Sequence, residues 1–321
     1  MTRPARPRSN ILGALCVMVA GVCFSLNDMG FKFLSDQYAL HQIVLFRSLT
    51  GMVVFLAIIM PLTGGLGVMR TNRLGWHLLR GVCVVAANSF LFLGLAALPI
   101  ADAVAIFFIS PLVITVMSVV FLGERVGPRR WLAIAVGFAG VLFIVRPGTS
   151  AFQIAALFPM IAATLYAIMH IVARRIGGTE SAATMTFWIL ISFIAASALI
   201  GLVAGDGRFA GSGHPSMQFL LRPWITYARE DWPILIMLGV SGVMGGMLIS
   251  QAYRISEAAF AAPFEYISMP LAIMWGITIF GTFPGVFAWI GIVLIIGSGL
   301  YLIWSEARKP NPPPDKARVF E

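Results

Sequence analysis

Ionisable side chains interrupt three long apolar stretches of this sequence. Asp28 and Lys32 lie in the first stretch, Arg47 in the second, and Glu265 in one near the C-terminal end. A charged group inside a membrane is costly unless it is paired or solvated, so such groups are candidates for function. Their types and positions predict a site that binds a charged solute or carries a proton.

Asp28 and Lys32 are four residues apart and therefore share one face of a helix. They could neutralise each other near the outer end of that helix, with Lys32 reaching the membrane interface. They could instead form a gate or part of a cavity wall, to which the neighbouring Asn27 would add an amide. The sequence leaves both readings open.

Arg47 keeps its charge at physiological pH, so it needs a carboxylate, a set of carbonyls or a water-filled cavity. Asp28 is its nearest counter-ion by depth along the helices, and Glu265 is the alternative. A purely structural ion pair would satisfy the charge. We favour contact between Arg47 and an anionic group of a substrate.

Glu265 stands between two prolines, Pro263 and Pro270. Backbone carbonyls freed by prolines are tolerated at membrane depth only where protein or cavity water satisfies them. This pattern predicts that Glu265 couples protons or binds a cation. The alternative is a packing role in which the carboxylate bonds to Arg47 or Tyr266.

Other polar and aromatic side chains complete the set of candidates. His170 could titrate near neutral pH or be a packing residue, and the amides of Asn88 and Gln251 could bridge helices. Ser110 precedes Pro111, where we expect a kink. Rings could stack on a flat solute or fill a helix core; those considered are Phe24, Tyr166 and Tyr266. The candidates for substrate binding or coupling are Asn27, Asp28, Lys32, Arg47, Asn88, Ser110, Tyr166, His170, Gln251, Glu265 and Tyr266.

The elements that must position these residues are membrane-spanning helices. Of 321 residues, 59% are hydrophobic and 11% are charged, whereas soluble domains carry about 25% charged residues. An all-α integral membrane protein of ten spans is predicted, because a span needs about 20 mostly apolar residues. The spans are Ile11–Leu34, Gln42–Pro61, Leu74–Leu98, Ala101–Leu122, Trp131–Val145, Phe152–Ala173, Ala183–Val203, Trp232–Tyr253, Glu257–Phe280 and Pro284–Trp304.

The basic residues predict the orientation in the membrane. The net charge is +9, but the Lys and Arg side chains lie in short gaps between spans and at both ends, so no nucleic-acid partner is expected. With a cytoplasmic N-terminus, 16 of the 22 basic residues, Arg80 among them, face the cytoplasm. This bias predicts a bacterial-type cytoplasmic (inner) membrane protein with both termini in the cytoplasm.

Two halves of the sequence resemble each other. At an offset of 158 residues, Ile109-Ser110 aligns with Ile267-Ser268, and Trp131 aligns with Trp289. At an offset of 142, Phe24 aligns with Tyr166, with Asp28 against His170 and Lys32 against Arg174. Because five spans per half is an odd number, the repeats are predicted to be inverted, with a substrate between them.

The predicted organisation follows from the repeat. Residues 1–10 are a cytoplasmic N-terminal segment, and residues 11–147 and 148–305 are the first and second five-helix repeats. Residues 204–231 form an extramembrane loop of the second repeat, and residues 306–321 form a disordered cytoplasmic tail. The sequence leaves open whether the protein is a monomer or a homodimer.

Motifs for catalysis and cofactors are absent from the sequence. It has no Gly-x-Ser-x-Gly, no His-Glu-x-x-His, no phosphate loop and no dinucleotide-binding glycine motif. We therefore expect neither an enzyme nor a cofactor or metal centre. A secondary active carrier of a small polar metabolite is the leading interpretation, proton-coupled or working by exchange. A lipid-modifying membrane enzyme and a passive channel are the alternatives.

Several short motifs together resemble the drug/metabolite transporter superfamily, EamA type. They are Asn27-Asp28 with Lys32, Phe46-Arg47, Leu79-Arg80-Gly81, Leu122-Gly123-Glu124-Arg125, Trp131 through Gly137 and Gly140 to Pro147, and Ala262-Pro263-Phe264-Glu265-Tyr266. The pattern is closest to the S-adenosylmethionine uptake and riboflavin carrier branches. The resemblance implies paired five-helix domains and transport. The sequence departs from the family at Phe280-Gly281-Thr282, where a glycine-glutamate pair is usual.

Overall fold

Helices are the regular secondary structure of the described residues, and loops and turns connect them. The computed structural model describes residues 7–123, 127–146, 153–211, 213–256 and 261–307, and these residues contain no β-strand. Among them, seven helical segments are long and apolar enough to cross a membrane. The predicted all-α membrane fold is thus confirmed. The seven segments are Ile11–Leu34, Leu40–Thr63, Leu74–Ala97, Ile100–Leu122, Ile154–Ile176, Ala182–Ala204 and Arg229–Ile255.

The N-terminal part of the chain contains seven α-helices. They are α1 (Pro7–Leu34), α2 (Leu40–Val54), α3 (Met60–Thr63), α4 (Leu74–Ala97), α5 (Ile100–Phe107), α6 (Ser110–Leu122) and α7 (Pro128–Val145). A π-helical turn at Phe55–Ile59 joins α2 to α3. Pro61 follows this turn and has no N–H to donate, which disfavours regular α-helical bonding there.

The described residues of the C-terminal part contain six α-helices. They are α8 (Leu157–Ile176), α9 (Ala182–Ala204), α10 (Pro215–Leu221), α11 (Trp232–Ile255), α12 (Ser268–Thr278) and α13 (Val286–Ala307). A 3₁₀ segment, Ala262–Ile267, precedes α12. Two apolar helical segments are shorter than the seven above, namely Trp131–Val145 in α7 and Val286–Ser298 in α13.

The fourth predicted span is interrupted where a kink was expected. The chain leaves the helix after Phe107 and re-enters it at Ser110, so Pro111 lies in the first turn of α6. A proline fits there because the first-turn N–H groups of a helix have no acceptor within the helix. The break therefore falls just before the proline and not at it.

Some predictions concern residues outside the described ranges. Glu124 and Arg125, in the motif that closes the fourth predicted span, lie outside them. Residues 308–321 of the predicted tail lie outside them as well, while Glu306 and Ala307 belong to α13. At the other end, α1 begins at Pro7, four residues before the predicted start.

The predicted extramembrane loop docks against the first half of the chain. We call residues 205–231 the capping segment; it contains α10. The Ser216 hydroxyl donates to the Leu93 carbonyl at 2.6 Å, and Arg222 donates to the Ser35 carbonyl at 3.1 Å. Phe219 is fully buried. The segment is thus an ordered cover over the ends of α1 and α4.

Candidate functional site

A cavity of about 110 Å³ lies among helices from both parts of the chain. Its walls come from α1, α2, α4 and α5, and from α8, α9 and α11. On α4 the lining runs from Val84 to Phe92, around the middle of that helix. This volume can hold several water molecules, since a cavity needs about 10–15 Å³ to hold one.

The cavity wall is largely apolar, with a small number of polar groups. Such a mixture is typical of sites that bind small organic molecules. The polar lining side chains are those of Asn27, Asp28, Arg47 and Asn88. The aromatic lining side chains are those of Phe24, Phe92, Phe107, Tyr166 and Phe193.

Arg47 is buried but has no ion-pair partner among the described residues. Its guanidinium carbon lies 4.7 Å from the ring centre of Phe193, 5.3 Å from Phe31 and 5.9 Å from Phe92. Its Nη1 donates to Asn27 Oδ1 at 3.2 Å. Cation–π contacts and one amide therefore hold a charge that faces the cavity.

Asn27 fixes the orientation of that arginine. The Nδ2 atom of Asn27 donates to the Cys23 carbonyl at 3.1 Å and to the Ser241 hydroxyl oxygen at 2.6 Å. With both donor positions used, the Oδ1 atom faces Arg47. The amide therefore links α1, α2 and α11 at the cavity wall.

Of the two alternatives for Asp28 and Lys32, the mutual ion pair is not formed. The Lys32 ammonium donates to the carbonyls of Leu95 and Leu98, at 2.6 and 2.9 Å. These carbonyls belong to the C-terminal end of α4, where carbonyls lack helical partners and the helix dipole attracts a cation. Asp28 instead lines the cavity, where its carboxylate is within electrostatic range of Arg47 but makes no hydrogen bond or close ion pair with any described residue.

Glu265 does not reach Arg47 and lies in a separate buried cluster. Its Oε1 atom accepts a hydrogen bond of 2.5 Å from Tyr253, and the Tyr166 hydroxyl also interacts with the carboxylate. His170 stacks on the Tyr253 ring at a centroid distance of 4.0 Å. The alternative in which Glu265 bonds to Arg47 or Tyr266 is therefore not observed, since its hydrogen-bond partners are the phenols of Tyr253 and Tyr166.

The structure divides the other candidates into those at the cavity and those away from it. Asn88 lines the cavity and donates to the Val84 carbonyl at 3.1 Å. Gln251 instead accepts from Arg254 at 3.0 Å, and Tyr266 donates to the Phe108 carbonyl at 3.4 Å. The Ser110 hydroxyl is buried with no partner among the described residues. Lys32, Ser110, His170, Gln251, Glu265 and Tyr266 do not line the cavity.

Sequence reasoning missed a buried charge and several wall residues. Arg80 was assigned to the cytoplasmic face, but it is 1% exposed, inside α4. Its place six residues after the start of an apolar helix is the signal that could have revealed it. Phe193 and Gly242 line the cavity; nothing in an apolar helix distinguishes such residues from ordinary packing residues.

Comparisons with known proteins agree with this architecture. The model of the EamA-like transporter family matches residues 11–146. A riboflavin transporter of Rhizobium johnstonii is 29% identical, with 96% of each chain covered. An S-adenosylmethionine uptake transporter of Rickettsia prowazekii is 26% identical over 92% of this chain and 96% of that one. A protein of known crystal structure, 16% identical, has the same fold, with a TM-score of 0.66 over 95% of this chain and 99% of the other.

The class of protein follows from these findings: it is a multi-pass membrane transport protein and not an enzyme. Its residues 11–146 are similar to the EamA-like transporter family, whose model they match. The resemblance to the drug/metabolite transporter superfamily, inferred from short motifs, is thereby confirmed.

Proposed function

We propose that the protein is a secondary active transporter of a small polar organic metabolite. It works by alternating access in the cytoplasmic membrane, with both termini in the cytoplasm. Residues 11–147 and 148–305 act as two inverted five-helix halves that rock around the central cavity. Either a proton, carried by Glu265 or His170, or an exchanged solute drives the cycle.

The observation that carries this proposal is the cavity between the two halves. Its wall combines Arg47, whose guanidinium lacks a carboxylate partner among the described residues, with the Asp28 carboxylate and several aromatic rings. Polar groups at this depth are costly unless a solute or water meets them. The cavity of about 110 Å³ is small for an organic metabolite, so we assign this conformation to a closed stage of the cycle.

The helix boundaries support two related halves. Helix α4 begins at Leu74 and α11 at Trp232, 158 residues later. Helix α6 begins at Ser110 and α12 at Ser268, at the same offset. Residues related by this offset meet, since Tyr266 donates to the Phe108 carbonyl and the two rings lie 5.4 Å apart. Contact between equivalent residues is what an axis between two inverted repeats produces.

The relatives suggest the first solutes to test. Proteins that match most of this chain are named riboflavin transporter and S-adenosylmethionine uptake transporter. Both solutes contain a flat heteroaromatic ring system, which the rings of Phe24, Tyr166 and Phe193 could contact. We propose a solute of this type as the substrate.

Uptake by proteoliposomes tests the proposal. We expect saturable uptake of riboflavin or S-adenosylmethionine, with counterflow when the vesicles are preloaded. Arg47→Met should lower the initial rate at least about tenfold, the effect of losing about 1.4 kcal/mol of binding. Arg73→Met, which removes an exposed arginine before α4, should leave the rate unchanged.

Two outcomes would contradict parts of the proposal. Uptake that does not saturate and shows no counterflow would indicate a channel. Arg47→Met protein that transports at the wild-type rate would show that the cavity is not the substrate site. If neither solute enters, the choice of these two solutes is wrong.

A further inference from the structure

Arg80 is a second buried cation that the cavity does not include. It is 1% exposed, and no carboxylate of a described residue lies within ion-pair distance of it. Its Nε and Nη1 atoms are buried without any hydrogen-bond partner in the described structure, and Nη2 lies 3.5 Å from the Ser250 hydroxyl. A guanidinium left in this state is costly, so a structural role alone does not explain it.

Three helices place this arginine directly beyond one end of the cavity. Arg80 lies four residues before Val84 on α4, and Ser250 lies four residues after Gly246 on α11. Val84 and Gly246 line the cavity. Residues four apart share a helix face and differ in height by about 6 Å. Arg80 and Ser250 therefore continue the same two walls by one turn.

Helix α8 forms the third wall and also carries a polar side chain one turn beyond a residue that lines the cavity. His170 lies four residues after Tyr166, which lines the cavity on α8. Both ring nitrogens of His170 are buried without a partner among the described residues, and its ring is within electrostatic range of Arg80. Arg80 and His170 thus bring buried polar atoms without partners among the described residues to one end of the cavity, where Ser250 contacts Arg80.

Arg47 occupies the opposite end of the cavity. It contacts Phe92, which is 12 residues beyond Arg80 on α4, and it lies beside Gly242, eight residues before Ser250 on α11. At 1.5 Å per residue, these separations place the two arginines about 12–18 Å apart. The cavity between them has one unpaired arginine at each end.

We propose that Arg80, with Ser250 and His170, is a second anion-binding station, and that the substrate carries a carboxylate or phosphate group. Of the two solutes named above, S-adenosylmethionine has a carboxylate and riboflavin has neither group, so uptake of riboflavin alone would overturn this inference. In the transport cycle proposed above, on which this inference depends, the anionic group binds Arg47 when the outer side is open. It then passes to Arg80 as the inner side opens. The planar fork of an arginine matches both carboxylate and phosphate oxygens.

Inorganic phosphate tests the station without requiring transport. The full-length protein in detergent is unfolded by heat in sodium phosphate and in sodium chloride of equal ionic strength. Arg47→Met serves as the background, so that only the Arg80 station remains. A ligand that binds the native state raises Tm with its concentration. We expect a phosphate-specific rise in Tm in wild-type and Arg47→Met protein.

Adding a second substitution locates the bound ion. Arg47→Met/Arg80→Met should lose the phosphate-specific rise, with a tenfold or greater increase in the apparent Kd. The matched control Arg47→Met/Arg73→Met should keep the rise. Without phosphate, Arg80→Met should be as stable as the wild type or more stable, because a methionine removes an unpaired buried charge. Acetate in place of phosphate tells a carboxylate preference from a phosphate preference.

Clear outcomes would overturn the inference. They are an unchanged phosphate response in the Arg47→Met/Arg80→Met protein, or no phosphate response in the wild type. If the Arg47→Met/Arg80→Met protein does not fold, Arg80→Lys replaces it in the experiment. Lysine keeps the positive charge but lacks the planar guanidinium, so this variant should bind phosphate several-fold more weakly. An unaltered response in Arg80→Lys overturns the inference too. These results are independent of riboflavin and S-adenosylmethionine uptake, so failure of either proposal can be recognised separately.

Discussion

Arg47 and Lys32 show how this protein keeps single charges at membrane depth. Arg47 is held by three aromatic faces and one amide, whereas Lys32 binds two carbonyls at the end of α4. Neither charge forms a close ion pair with a carboxylate of the described residues, although Asp28 is within electrostatic range of Arg47. The Asp28 carboxylate lines the cavity together with Arg47, which is the arrangement that a binding site needs.

The bond between Tyr253 and Glu265 allows a prediction at the residue scale. Tyr253→Phe removes a hydrogen bond of 2.5 Å to a buried carboxylate. We expect the free energy of unfolding to fall by about 1.5–3 kcal/mol, the usual contribution of a bond to a charged group. Urea unfolding in detergent, followed by tryptophan fluorescence, measures the change.

Tyr266→Phe is the matched control. Its hydroxyl donates across 3.4 Å to a carbonyl, beyond the usual range for a strong hydrogen bond. This variant should lose less than about 0.5 kcal/mol. Equal losses in the two variants would mean that the Tyr253 bond has no special strength.

Residue types revealed the site more readily than residue partners did. Arg47, Asn27, Asp28, Asn88 and Tyr166 were found from the sequence and all line the cavity. Polar groups are conspicuous in an apolar helix, but their partners depend on which helices become neighbours. The sequence could not decide whether Asp28 and Lys32 pair for this reason, because α4 offers Lys32 two free carbonyls from a distant part of the sequence.

At the scale of elements, the capping segment is held by a cluster at the turn between α1 and α2. The Tyr38 hydroxyl donates to Asp231 at 2.6 Å and accepts from the Ala228 N–H at 2.9 Å. Trp224 donates to the His41 ring at 2.5 Å. These bonds join a loop of the second half to the first half of the chain.

Removal of the Tyr38 hydroxyl should loosen this segment. Tyr38→Phe loses two hydrogen bonds, and at about 1 kcal/mol each we expect amide exchange in residues 222–231 to rise about tenfold or more. Tyr227→Phe is the control, because that hydroxyl is buried without a partner among the described residues. Equal exchange in both variants, measured by mass spectrometry, would contradict the prediction.

The protonation of Tyr38 determines when this bond exists. Burial, together with the bond to Asp231, raises the pKa of the Tyr38 hydroxyl above its usual value. A raised pKa in the folded state favours the protonated form, so the contact contributes its full stability below about pH 10. It is lost only as the pH rises through the raised value.

The positions of the helices could be predicted because the length of each apolar stretch determines them. Irregular segments within the helices were harder to predict. The first, third and seventh predicted spans begin or end within a few residues of the observed helices. Prolines near Phe55–Ile59 and Ala262–Ile267 indicate that the helix is disturbed there, but not that the first becomes a π-helical turn and the second a 3₁₀ segment. These two forms depend on how nearby prolines and neighbouring helices share backbone hydrogen bonds.

At the scale of the whole molecule, α7 and α13 join the two halves through close backbone contact. An added Cβ at Gly291 would lie 2.5 Å from the Gly140 carbonyl oxygen. Gly291→Ala should therefore lower the free energy of unfolding by about 1–3 kcal/mol, as overpacking does. Gly297→Ala on the same helix meets no atom within 4 Å and should have little effect. Similar thermal stabilities for the two variants would contradict this.

Two turns, at opposite ends of the molecule, each bind a loop from another part of the chain. Tyr38 and Glu180 are 142 residues apart, the offset at which α1 and α8 align. Tyr38 binds the end of the capping segment, while Glu180 accepts from Thr71 at 2.8 Å and lies 3.4 Å from His77. Each turn thus binds the loop that precedes a long helix, α11 in one case and α4 in the other.

The capping segment makes the two ends unequal. Residues 64–73 form a shorter loop than residues 205–231 and contain no α-helix like α10, although Val68 packs in a cluster with Ala183 at the start of α9 and Thr71 donates to Glu180. Opening the capped side must break more bonds than opening the other. In the proposed cycle, we therefore expect an empty carrier to spend most of its time open to the cytoplasm, so that release there is rapid and the return of the empty carrier limits the rate.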